Sequence, residues 1–153
     1  MKTLLQFLIL LSLSLHSFAQ IDQPKEIKTF QKFGAYTVHY TVFNSKSIPP
    51  EVAKIHNLTR GKDLAFINIS LTKTENGTTS LGIPALVKSK AINLMQQTKS
   101  LEFMEIKEPD ATYYLAPLRY TNEEDLRFEV SVLPVGETKP LLITFNRRLY
   151  TEN

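Results

Sequence analysis

The sequence predicts an all-β fold, an antiparallel β-sandwich of seven or eight strands with one short helix. Two observations carry that prediction. Apolar and polar residues alternate in short runs, most cleanly where Leu126, Phe128, Val130 and Val132 are interleaved with Arg127, Glu129 and Ser131, and successive side chains of a strand point to opposite faces. Turn signals recur between the runs, at Asn76-Gly77, Pro109-Asp110, Asn122 to Asp125 and Val135 to Pro140, the regular spacing of a sandwich.

The chain opens on a leader. Lys2 precedes the apolar run Leu4 to Leu11, and Ser17 and Ala19 stand two apart before Gln20. A basic start, a short apolar stretch and small residues at a cut site make a secretory signal peptide. Residues 1–19 are expected to be that peptide, cleaved after Ala19, residues 20–30 a polar arm containing Pro24, and residues 31–153 the folded domain.

Tyr36 to Val42 is the first expected strand, with Tyr36, Val38, Tyr40 and Val42 on one face and Thr37, His39 and Thr41 on the other. Ser47 to Asn57 reads as two turns of helix crossing between strands. Proline sits where the first turn leaves an N–H unpaired, Glu51 faces the positive dipole end, and Asn57 tolerates a left-handed cap. Leu64 to Thr72 follows as a strand with Ala65, Ile67, Ile69 and Leu71 on one face. Asn76-Gly77 supplies the positive φ angles of a hairpin, so Leu81 to Val87 is expected to return antiparallel, with Pro84 confining it to a sheet edge or a bulge. Ala91 to Gln97 is open between helix and strand. Leu101 to Glu108, Ala111 to Ala116, Leu126 to Val132 and Leu141 to Tyr150 complete the strands.

Composition narrows the function classes. Without residues 1–19 about 134 residues remain, one domain, able to bury roughly two-thirds of its unfolded surface. The chain has no cysteine, which excludes disulfides, thiolate metal sites, a cysteine nucleophile and a lipid anchor on cysteine. An exported domain without disulfides fits the periplasm of a Gram-negative bacterium. No second apolar run approaches the roughly 20 residues of a membrane span. Losing Lys2 lowers the formal charge from +3 to +2 against 15 acidic residues, too weak and too mixed for nucleic acid. Lys88, Lys90, Arg147 and Arg148 read as solvated charges on edge strands, and the glycosylation-type triplets at Asn57, Asn68 and Asn76 as coincidence.

Asp110-Ala111-Thr112-Tyr113-Tyr114-Leu115-Ala116 is similar to the corner that opens strand F of immunoglobulin-type domains, with Tyr113 as the structural tyrosine whose hydroxyl bonds back to the preceding corner. A wider similarity runs from Gln31 to Tyr150. Phe33-Gly34-x-Tyr36-x-Val38-His39-Tyr40, Ile67-Asn68-Ile69-Ser70, Asn93-Leu94-x-x-Gln97 and Leu101-Glu102-Phe103-x-Glu105-Ile106-x-Glu108, in that order, resemble a family of small exported proteobacterial proteins known only as a domain of unknown function, number forty-four twenty-six. The resemblance implies a periplasmic immunoglobulin-like sandwich, a strand rather than a helix at Ala91 to Gln97, and no catalytic residues.

Chemistry is sparse. His39 and His56 lack metal-ligand spacing, so no metal or other cofactor is expected. Glu102, Glu105 and Glu108 do not share one strand face, and no nucleophile elbow or phosphate loop is present. His39, Asn68, Asn93, Gln97 and Tyr114 are polar groups embedded in strands and form the candidate binding surface if they share a face. The expectation is a non-catalytic binding or adaptor module for an unknown envelope protein, acting by surface complementarity or by strand addition at Leu81–Val87. A binder of a small ligand or glycan, with a patch around His39 and Tyr114, is the alternative. A hydrolase needs two of His39, Glu105 and Glu108 to converge.

Overall fold

The computed structural model describes residues 27–152; the expected leader, its cut after Ala19 and most of the arm lie outside them. The strands are β1 (Phe30–Phe33), β2 (Tyr36–Asn44), β3 (Leu64–Glu75), β4 (Thr78–Thr79), β5 (Ala85–Asn93), β6 (Thr98–Leu101), β7 (Met104–Lys107), β8 (Thr112–Arg119), β9 (Glu124–Pro134) and β10 (Leu141–Leu149). A 3-10 turn (Ser45–Ser47) and helix α1 (Pro50–Ile55) lie between β2 and β3. One antiparallel sheet has the order β1-β2-β3-β8-β7, with β4 paired to the far end of β3, and the other the order β10-β9-β5-β6.

The all-β sandwich is what alternation builds. Ala65, Ile67, Ile69 and Leu71 point inward from β3 and are at most 1% exposed, and Leu126, Phe128, Val130 and Val132 point inward from β9. Each of these side chains larger than alanine contributes roughly 1.5–3 kcal/mol when fully buried. Aromatic rings tie the sheets together: Tyr40 of β2 stacks on Phe145 of β10 at 4.5 Å, and Phe145 on Phe128 of β9 at 5.0 Å.

The expected edge strand at Leu81–Val87 is corrected. Asn76 and Gly77 do take positive φ angles of 51° and 78°, but the returning strand β4 is two residues long. The chain then crosses to the other sheet, wedged between β3 and β8. There the Ile83 N–H donates to the Leu71 carbonyl at 2.7 Å and the Thr112 N–H to the Gly82 carbonyl at 2.8 Å. Gly82 has no room for a side chain, since a Cβ would overlap the Thr112 carbonyl oxygen. Pro84 precedes β5 and so removes no ladder bond, and β5 is an inner strand between β9 and β6. The longest outer strand is β10, with nine residues.

Three further differences have local causes. Phe30–Phe33 adds β1 through a turn at Gly34, φ 58°, where Gln31 and Lys32 had hidden the alternation. Leu101 to Glu108 is two strands, because the chain changes sheets at Glu102-Phe103 between β6 and β7. Ala91 to Asn93 ends β5, and the turn to β6 carries Gln96 at φ 62°.

Candidate functional site: a cavity beneath helix α1

The connection between β2 and β3 folds over the outer face of the larger sheet. Asn44 starts it, its side-chain oxygen accepting the Lys46 N–H at 2.8 Å. Pro50 occupies the first turn of α1, where a missing N–H costs nothing, and Asn57 at φ 53° ends the helical path. The segment is pinned at its base. The buried Ser45 hydroxyl accepts the Gly61 N–H at 2.8 Å and donates to the Gly61 carbonyl at 3.0 Å, while Arg60 donates to the Lys46 carbonyl at 2.9 Å.

Beneath it the outward series of the sheet is apolar where α1 covers it. Phe43 of β2 lies opposite Phe66 of β3, ring centroids 6.3 Å apart, and Phe66 is 1% exposed although it points away from the sandwich core. A cavity of about 220 Å³ remains between helix and sheet, roofed by Ile48, Val52 and Leu58 and floored by Phe43, Ile106 and Leu115.

Four polar side chains also line it: His56, Asn68, Glu108 and Tyr113. Asn68 Oδ1 is buried and has no hydrogen-bond partner among the described residues. Leaving such an acceptor unsatisfied costs roughly 1–3 kcal/mol, and native folds seldom tolerate it without a reason. The Tyr113 hydroxyl donates to Glu108 Oε1 at 2.9 Å. Burial first, then the bond to Glu108 and its charge, raises the Tyr113 pKa above the ordinary phenol value, so the phenol stays protonated and holds the carboxylate at the rim.

Larger hollows exist elsewhere, but without this demand. One of about 390 Å³ on the outer face of the smaller sheet is bordered by Lys90 and Glu129, already paired at 2.9 Å. Ser89 Oγ, the other buried side-chain oxygen without a partner among the described residues, belongs to the inward series of Val87 and Ala91 and so faces the core.

The five strand-embedded candidates do not form one surface. His39 stands exposed on the outer face of β2, its Nε2 3.2 Å from Thr72 Oγ1. Tyr114 points into the core, its hydroxyl accepting the Ala85 N–H at 2.7 Å and donating to Glu105 Oε1 at 3.2 Å. The expected patch around His39 and Tyr114 is therefore corrected: the two lie on opposite faces of the larger sheet. Asn93 and Gln97 serve a turn of the other sheet. Asn93 Nδ2 donates to Gln97 Oε1 at 2.8 Å, and the Gln97 N–H to Asn93 Oδ1 at 2.9 Å. Of the five, only Asn68 lines the cavity.

The Tyr113 hydroxyl reaches back across the Pro109-Asp110 corner, where it meets the Glu108 carboxylate and not a backbone carbonyl. The tyrosine that ties backbone segments together is Tyr120, whose hydroxyl donates to the Tyr150 carbonyl at 2.8 Å and accepts from Asn44 Nδ2 at 2.7 Å. Sequence reasoning weighed His56, Glu108 and Tyr113 one at a time and did not join them, since only the fold brings residues 56, 68, 108 and 113 together.

His39, Glu105 and Glu108 do not converge. Glu105 pairs with Lys107 at 3.1 Å and points inward beside Tyr114, whereas Glu108 is bonded to Tyr113 on the outward side. His39 is three strands away in the sheet order, about 14 Å at the usual spacing. Among the described residues no three His, Cys, Asp or Glu side chains gather as metal ligands would, and no helix is long and apolar enough to cross a membrane.

No curated protein matches the chain. Solved structures do. A crystal structure of a DUF4426 family protein from Pseudomonas aeruginosa aligns with TM-score 0.69 and 32% identity, covering 81% of this chain and 95% of that one. FetP from uropathogenic Escherichia coli, expressed in the periplasm of E. coli, aligns with TM-score 0.57 and 11% identity over 81% and 94% of the two chains. A copper-bound variant of FetP aligns with TM-score 0.58 and 12% identity over 80% and 95%. At those identities the likeness to FetP is one of fold. The model for the domain of unknown function DUF4426 matches residues 30–152, the full span of both sheets. The chain is a member of the DUF4426 family.

Proposed function

We propose that the protein is an exported, non-catalytic binding module whose ligand site is the cavity beneath α1. One observation carries the reading: a cavity with apolar walls gathers four polar side chains, His56, Asn68, Glu108 and Tyr113, and Asn68 Oδ1 there has no partner among the described residues. Apolar walls with a few convergent polar groups are the usual make-up of a small-ligand site. The separation of His39, Glu105 and Glu108 supports binding without catalysis, and the leader at residues 1–19 supports export to the periplasm. Copper is not carried over from the FetP variant, because fold likeness alone transfers no site. The test is a thermal-shift screen of small amines, amides, alcohols and sugars against wild type and Asn68→Leu. Ligands that raise the Tm of wild type but not of the variant support the site; equal shifts in both reject it.

A second reading, docking of an envelope protein, is favoured by the β5–β6 turn. Leu94 and Met95 are 78% and 74% exposed on a turn held by the Asn93–Gln97 bonds, an apolar tip on a firm base. Affinity capture from periplasmic extract tests it. A defined partner retained by wild type and lost with Leu94→Ser/Met95→Ser supports docking there, and retention by both chains rejects it.

A further inference from the structure

We propose a second binding site, on the outer face of the smaller sheet, that takes one ring of a neutral saccharide. It lies on the opposite side of the sandwich from the cavity beneath α1. The strand register builds its floor. Arg127 of β9 alternates with the inward Leu126 and Phe128 and so faces outward. Ile92 of β5 and Asn146 of β10 both lie directly opposite it, so the three side chains form one row across three strands. The β5–β6 turn follows on Ile92 and walls one side. Asn93 spends both ends of its amide on Gln97, which holds that turn with Gln96 at φ 62° and Leu94 exposed. Floor and wall enclose a hollow of about 330 Å³, bordered by Asp125 as well. That is the lower end of the roughly 300–1,000 Å³ of small-molecule sites, room for a single ring.

The lining selects the ligand. Gln96 and Asn146 are exposed amides, each offering a donor and an acceptor side by side, and a sugar hydroxyl both donates and accepts. Asp125 and Arg127 add a carboxylate and a guanidinium, planar groups that also present paired positions, matching hydroxyls on adjacent ring carbons. Arg148 meets only Oδ2 of Asp125, at 2.9 Å, and Glu129 meets one terminal nitrogen of Arg127, at 3.3 Å. A carboxylate accepts about four bonds and a guanidinium donates five, so both keep capacity for a ligand. The two charges that border the hollow are opposite in sign and each is already paired, so an ion finds no excess of opposite charge there. Ile92 and Leu94 supply the apolar contact that the C–H groups of a ring require.

Such a ring has two sources, a free monosaccharide or one residue of a glycan chain. Titration of isotope-labelled protein with glucose, galactose, mannose and N-acetylglucosamine, followed by amide correlation spectra, tests the site. At least one neutral sugar is expected to shift the backbone amides of Asn93 to Gln97 and the side-chain amides of Gln96 and Asn146 to saturation. Gln96→Gly, which a left-handed backbone position accepts, and Asn146→Ala should each weaken that binding about fivefold, the scale of one neutral hydrogen bond. Glucuronate and glucosamine, the anionic and cationic counterparts, should bind no more tightly than the neutral sugars. Maltotriose and chitotriose separate the sources: tighter binding than the single sugar assigns a glycan chain, and equal or weaker binding assigns a free sugar.

Tighter binding of either charged sugar overturns the neutral class. Shifts that gather around α1, or binding that neither substitution weakens, overturn the site. If no sugar gives a saturable shift the proposal falls, and the reading of the cavity beneath α1 is unaffected, because it rests on other residues.

Discussion

Asn68→Leu should make the protein more stable while removing its ligand site. Asn68 sits in the middle of β3, opposite Thr41 of β2 and Leu115 of β8, so the backbone ladder survives any side-chain change. Its Oδ1 is a buried acceptor with no partner among the described residues, a liability of roughly 1–3 kcal/mol. Leucine has nearly the same branched shape, deletes the unmet acceptor and places two methyl groups against Phe43 and Leu115. Fixing its rotamer costs about 0.5–1 kcal/mol. Net stabilisation of about 1–2 kcal/mol follows, and for a domain of this size that raises the Tm by about 3–8 °C. Urea unfolding at neutral pH measures it, with an unchanged m-value showing that the denatured state is not altered. A loss of a kilocalorie or more would refute the reasoning, because it would mean that the amide is already satisfied and the cavity has no unfilled demand. A gain joined to loss of ligand-induced stabilisation would mark Asn68 as a residue kept for function against stability.

Other perturbations test the frame around the site. Gly82→Ala drives a Cβ into the Thr112 carbonyl and to 2.9 Å from Ser70 Oγ; losing the two crossing hydrogen bonds at about 1 kcal/mol each plus overpacking of about 1–3 kcal/mol should cost roughly 3–5 kcal/mol in chemical denaturation. Tyr120→Phe leaves Asn44 Nδ2 and the Tyr150 carbonyl without their shared partner and should cost about 1–3 kcal/mol, with faster amide exchange at Tyr150 as the local readout. Alkaline pH should destabilise the fold: the phenols of Tyr113 and Tyr114, through burial first, and of Tyr36, through its bond to Glu137 first, are raised above 10.0. Below that value both states hold the protons; above it the unfolded chain ionises first, so stability falls as pH rises through the folded pKa values. Urea midpoints across about pH 9 to 11 should decline, and less steeply in Tyr113→Phe.

The inward half of this fold is legible in its sequence and the outward half is not, for a physical reason. Core positions repeat every second residue, so Ala65, Ile67, Ile69 and Leu71 announce their face without knowledge of any partner strand. Sheet membership carries no such local signature. Glu102-Phe103 switches sheets inside a run that reads as one strand, and Leu81–Pro84 crosses between sheets where proline suggested an edge. The family resemblance supplied a β path for Ala91–Gln97, half of which is turn, and could not supply the site because it supplies no function.

The cavity did leave a trace in the sequence, in two breaks of alternation rather than in any motif. Phe43 ends the β2 run on the face that carries Thr37, His39 and Thr41, and Phe66 interrupts the face of β3 that carries Asn68, Ser70 and Thr72. One aromatic on a wet face is ordinary; two that must face each other across adjacent strands expose too much apolar area to stand uncovered. The cover has to be the segment that joins those strands, because it leaves from Asn44 and returns at Leu64, beside both rings. Its Pro49-Pro50 start makes it a short stiff helix, too small to seal the face. Asn68, one step along the same outward series from Phe66, falls at the boundary of that incomplete seal. Its oxygen is shut away from water there without meeting a donor among the described residues, a cost in stability that a purely structural position would not carry.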